Sequence, residues 1–137
     1  RDGGALVANA TTTLERVHLT GNTANYGGAV RMNAVTVTII DSTIAQNTAV
    51  EGSGLTSAGG DVSLVGTTIT ANAGTAAAAV YLNPGSTASL VNTTVAANTS
   101  GGIAAVAVPV EVTLSTVTAN GDGNLKGSGT YTMAGSV

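Results

Sequence analysis

A six-residue phrase ending in Asn recurs along this chain, and its spacing limits the fold more than any other feature. It reads Ser42-Thr43-Ile44-Ala45-Gln46-Asn47, then Thr67-Thr68-Ile69-Thr70-Ala71-Asn72, Thr93-Thr94-Val95-Ala96-Ala97-Asn98 and Ser115-Thr116-Val117-Thr118-Ala119-Asn120. A looser copy, Val17-His18-Leu19-Thr20-Gly21-Asn22, precedes them. The successive asparagines lie 25, 25, 26 and 22 residues apart. Self-similarity at such a period marks a solenoid, in which each repeat buries its apolar side only against its neighbours.

Alternation within the period supplies the strands. Eight residues beyond each Asn stands an apolar anchor, Val30, Leu55, Val80 and Val106, and two further on come Met32, Ser57, Leu82 and Val108. The residues between them, Arg31, Thr56, Tyr81 and Ala107, then point outward, as a half-buried strand requires. Small residues such as Gly27-Gly28-Ala29 precede each anchor and suit a tight corner. A second strand follows in Val35–Ile39, Val62-Ser63-Leu64, Ala88-Ser89-Leu90 and Val112-Thr113-Leu114. The step from Ile39 to Ile44 is odd, so a bend at Asp41-Ser42 must reset the phase.

The Asn phrase is the third strand. Its inward residues Leu19, Ile44, Ile69, Val95 and Val117 predict a continuous core column. Asn22, Asn47, Asn72, Asn98 and Asn120 predict a structural ladder of side-chain amides. Three short strands in a coil of about 22–26 residues describe an all-β, single-stranded parallel β-helix. It reads as one domain over 1–137, with coils at approximately 3–22, 23–47, 48–72, 73–98 and 99–120 and a partial one at 121–137. Asn83-Pro84-Gly85-Ser86 adds a residue at a corner, where Pro costs no ladder bond. The fifth coil is three residues short, a deletion expected mostly at the bend, where equivalents of Ile40 and Asp41 are missing.

Composition excludes several roles. There is no Phe, Trp or Cys, and four basic against seven acidic residues give a net charge of −3, without a nucleic-acid footprint. No 18-residue apolar run is present, so no membrane span is expected. Catalysis on a polysaccharide needs clustered carboxylates. Asp2, Glu15, Asp41, Glu51, Asp61, Glu111 and Asp122 never share a rank in adjacent coils, and Asp41 beside Arg16 reads as a surface ion pair. The expectation is therefore no catalytic residue, no cofactor and no enzyme. His18 aligns with Thr43, Thr68, Thr94 and Thr116 and lacks a second ligand, so no metal site is expected. Gly121-Asp122-Gly123-Asn124 reads as an ordinary turn. Arg31 and Tyr81 share an outward face and form the one candidate contact surface. Asn9, Asn92 and Asn98 open glycosylation sequons by pattern.

Two motifs carry a family resemblance. Gly27-Gly28-Ala29-Val30 and Ile44-Ala45-Gln46-Asn47 resemble the GGA[ILV] and FxxN motifs of polymorphic outer-membrane protein repeats, with Ile in place of Phe. The wider phrase Ser42–Ala49 is similar to right-handed parallel β-helix repeats of large secreted bacterial proteins. The resemblance implies right-handed coiling, secretion or surface display. Neither end shows a capping helix or a charged, Pro-blocked strand, so the chain reads as a segment of a longer solenoid or as a unit covered by another copy. The function expected is an extracellular fibre or adhesin-stalk segment that stacks end to end with itself or with further coils. The alternatives are a carbohydrate-binding or pectate-lyase-like β-helix that meets surface glycans, and a passenger segment of a surface adhesin.

Overall fold

A computed structural model describes residues 2–136; Arg1 and Val137, the outermost positions of the 1–137 span, lie outside the described residues. The chain winds through three parallel sheets in turn. The first stacks Leu6–Ala8, Val30–Met32, Leu55–Ser57, Val80–Leu82, Ile103–Ala105 and Leu125–Gly127. The second stacks Thr12–Glu15, Val37–Ile40, Gly60–Val65, Ser86–Val91, Pro109–Thr113 and Thr130–Ala134. The third holds His18–Thr20, Thr43–Ala45, Thr68–Thr70, Thr94–Ala96 and Thr116–Thr118. Thr48–Ala49 and Ala73–Gly74 add a short pair just beyond the Asn turn. Every strand pairs with its counterpart one coil away, which makes the fold the single-stranded parallel β-helix, with three strands per coil, that the period predicts. It turns about five times.

In-register pairing puts like on like. Leu19, Ile44, Ile69, Val95 and Val117 are stacked by the third sheet, and all but the half-buried Leu19 are buried. The second sheet adds Val37, Val62, Ala88 and Val110 in one column and Ile39, Leu64, Leu90 and Val112 in another. Each fully buried Val, Ile or Leu contributes roughly 1.5–3 kcal/mol, and none of that is available to a coil alone.

Left-handed residues make the corners. At the bend between second and third sheets Arg16, Asp41, Gly66, Asn92, Leu114 and Gly135 all have φ between 46° and 59°. One residue there shifts the alternation by a step, so Ile39 and Ile44 both face inward. The Gly-Gly pair has a separate cause for each member. Gly27 takes φ 62°, while a Cβ on Gly28 would overlap the Ser53 carbonyl of the next coil.

The fifth coil differs from the sequence expectation. Val80 pairs with Ile103, not Val106, and Leu82 with Ala105, not Val108; Ala104, not Ala107, follows Tyr81 in the outward rank. Val110 and Val112 continue the second-sheet columns, so Leu114 is not a core residue but the bend residue equivalent to Asp41. All three deleted residues come from the corner between Asn98 and Ile103. The slip arises because Val110-Glu111-Val112 and Val112-Thr113-Leu114 carry the same alternation, which tolerates a two-residue shift.

The C-terminal end is a step, because the third sheet stops one strand before the other two. It is also less bare than the sequence suggests: Tyr131 joins the column of Val110 and half-covers the end of the core. Leu114 is 66% exposed and left-handed without glycine's freedom. Leu114→Gly should therefore raise stability by about 0.5–1 kcal/mol, as left-handed strain outweighs the entropy glycine adds to the unfolded chain. A lowered urea midpoint would refute this account of the bend.

Candidate functional site

The most highly organised polar feature lies inside the turn after the third sheet. Gly21, Gln46, Ala71, Ala97 and Ala119 are left-handed and swing the following Asn inward. Asn72 shows the rung. Its Oδ1 accepts the backbone N–H and the Nδ2–H of Asn47, both at 3.0 Å. Its Nδ2 donates onward to Asn98 Oδ1 and back to the Ile44 carbonyl, again at 3.0 Å. The same contacts join Asn22 to Asn47 and Asn98 to Asn120 at 2.9 Å. Asn47, Asn72 and Asn98 are 0–1% exposed, so this burial is tolerable only because both amide atoms are satisfied.

Asn72→Leu should strand two buried donors of Asn47. At roughly 1–3 kcal/mol each, the loss should exceed 2 kcal/mol by denaturant titration, whereas Thr70→Leu on the outer face should cost much less. Equal losses would remove the ladder from its structural role.

A second ladder lies at the preceding bend, where every coil after the first has Ser or Thr. The Ser115 hydroxyl accepts the Thr93 N–H at 3.0 Å and donates to the Thr113 carbonyl at 2.7 Å; Ser42 and Ser136 act similarly. Thr67 and Thr93 donate to carbonyls of their own and the preceding coil. The signal was present as the Ser or Thr that opens the four later phrases, Ser42, Thr67, Thr93 and Ser115, though not the first, which opens with Val17. Asn124 was also missed: its Oδ1 accepts both Asn120 donors and ends the Asn ladder from inside the Gly121–Asn124 turn. Nothing in the 25-residue spacing points there.

Tyr131 donates to the carbonyls of Lys126 and Ile103. Burial pushes its phenol above the ordinary value of 10.0, so the folded chain keeps that proton to higher pH than the unfolded one. Stability from this group is present below about pH 10 and is lost as pH rises through it. Tyr131→Phe should lose stability less steeply than the wild type above pH 10 in thermal melts; identical slopes would show that Tyr131 is not the group responsible.

Comparison with known families matches "Right handed beta helix region" over residues 1–137. The chain belongs to the right-handed β-helix family. No curated protein and no solved structure matches it.

The outer surface of this β-helix separates the remaining candidates. Arg31 and Tyr81 lie in one first-sheet rank, two coils apart with Thr56 between them. Arg31 is engaged locally, 2.8 Å from Asp2, donating to Asn33 at 3.1 Å and lying 5.1 Å from the Tyr26 ring centroid. Arg16 and Asp41 are equivalent bend residues in adjacent coils, yet Arg16 pairs with its neighbour Glu15 at 2.7 Å, while the Asp41 carboxylate lies over Gly66, where a side chain is absent. Asn98, in the ladder, is closed to a glycan; Asn9 and Asn92 are exposed. Thr87, Ala88, Ser89, Pro109 and Glu111 line an open groove of about 270 Å³ on the second sheet. Thr87 donates to Asp61 beside it at 2.6 Å. Among the described residues no three His, Asp or Glu side chains are grouped to hold a metal ion.

The third-sheet face is different in kind. Its outward residues form one rank of His18, Thr43, Thr68, Thr94 and Thr116 and a second of Thr20, Ala45, Thr70, Ala96 and Thr118. None carries a formal charge with His neutral.

Proposed function

We propose that this β-helix is an extracellular structural or adhesive rod, extended end to end by further parallel coils of a second copy or of a longer surface stalk. One observation carries the reading: the core columns run in register from coil to coil and meet strand edges that pair on one side only. Leu6–Ala8, Thr12–Glu15 and His18–Thr20 form one such end. Leu125–Gly127, Thr130–Ala134 and, one coil lower, Thr116–Thr118 form the other. Open parallel edges are templates for strand addition. Met133, 42% exposed in the column of Ile39, Leu64, Leu90 and Val112, offers an apolar seat for a next coil. Head-to-tail contact of this kind is heterologous and does not close, so it builds a filament. The role uses stiffness and repetition and calls for no catalysis or cofactor.

Sedimentation velocity with negative-stain electron microscopy tests the reading. Filaments of constant width that lengthen with concentration are expected of the purified chain. A monodisperse short rod at every concentration would overturn self-stacking.

A further inference from the structure

The third sheet has a regularity that rod formation does not use. Adjacent strands stand about 4.8 Å apart and alternate residues along a strand about 6.6 Å apart, so its two outward ranks make a regular grid. Thr43, Thr68, Thr94 and Thr116 occupy successive points of one rank and are half-buried. Thr20, Thr70 and Thr118 take every second point of the other. Thr67 and Thr93 turn inward and engage backbone carbonyls. Among the described residues, the outward threonine hydroxyls of this grid donate to no protein acceptor. β-Branching restricts their rotamers, and the two polar ladders pin the sheet at both margins. The grid is therefore rigid before any ligand arrives.

Its chemistry selects a partner. A mineral face or a charged polymer calls for charge, and the grid has none. Crystalline polysaccharide is gripped by coplanar aromatic rings, but Tyr26, Tyr81 and Tyr131 all lie away from this sheet. Protein interfaces concentrate aromatic residues and Arg, and neither is present on this face. A rigid, neutral lattice of hydroxyls and methyls is matched by another neutral lattice of hydrogen-bonding oxygens. We propose that this face adsorbs to the surface of an ice crystal. Each hydroxyl contact is weak, and their fixed spacing lets them act together as one multivalent body. This adsorption does not depend on end-to-end assembly.

Ice-affinity partitioning tests it: polycrystalline ice is grown slowly in a dilute solution of the full chain, and protein is measured in ice and in liquid. The wild type should be enriched in the ice fraction, and Thr68→Lys and Thr94→Lys should each lose that enrichment. Ser63→Lys, on the outward face of the second sheet, should keep it, with circular dichroism checking that every variant is folded. If Thr68→Lys fails to fold, Thr94→Lys carries the comparison, and Thr68→Ala supplies a milder change at the same point. Exclusion of the wild type from ice, or equal loss in Ser63→Lys, would overturn the proposal. Retention on crystalline cellulose or chitin that depends on Thr68, with exclusion from ice, would overturn it as well.

Discussion

The amide of each ladder asparagine is the contact on which the rest of the molecule depends. A solenoid turn must bring a chain out of one sheet and into the next within two or three residues, and the turn backbone then has donors and acceptors that no strand can pair. Asn72 meets this need on both sides at once, taking two N–H groups from Asn47 and giving two to Ile44 and Asn98. A Ser or Thr could serve one of these contacts, but only a side chain with a carbonyl and an amino group reaches coils in both directions. The left-handed residue before it follows from the same need, because without that conformation the amide would point to solvent.

The fold was legible because period and alternation are properties of the chain itself. Spacing of about 25 residues set the coil, and the odd step from Ile39 to Ile44 located the left-handed bend. The fifth coil was less legible for a physical reason: a shift of two residues leaves every inward residue inward. Hydrophobic pattern could not tell Val110 from Val112, and only the three-dimensional corner after Asn98 shows which residues are missing. Asn124 escaped because it reaches its rung from four residues along the chain instead of a full coil. The candidate contact pair Arg31 and Tyr81 shared a rank in the sequence, but the local engagement of Arg31 by Asp2, Asn33 and Tyr26 depends on a corner that periodicity does not describe.

Inside and outside obey different rules. Inward positions are fixed by the neighbours above and below, so their columns repeat with little variation. Outward positions meet no such demand, and first and second sheets vary accordingly among Arg31, Tyr81 and Lys126 or among Thr38, Ser63, Ser89 and Glu111. The third sheet alone keeps one chemistry on its outside. Strand packing does not impose that uniformity, since the second rank accepts Ala at Ala45 and Ala96 and Thr at Thr20, Thr70 and Thr118 in the same register.

The step at the C-terminal end has a consequence for geometry at a joint. A flat-ended cylinder can meet another at any angle about their common axis. Here one of three sides is lower than the others by a strand, so the end works as a keyed coupling with a single angular setting. Under the proposed end-to-end extension, a solenoid continuing the rod across it would inherit the orientation of all three faces. A surface feature confined to one side, such as the threonine grid, would then run as a straight stripe from segment to segment, and the length of that stripe would be set by the number of segments joined.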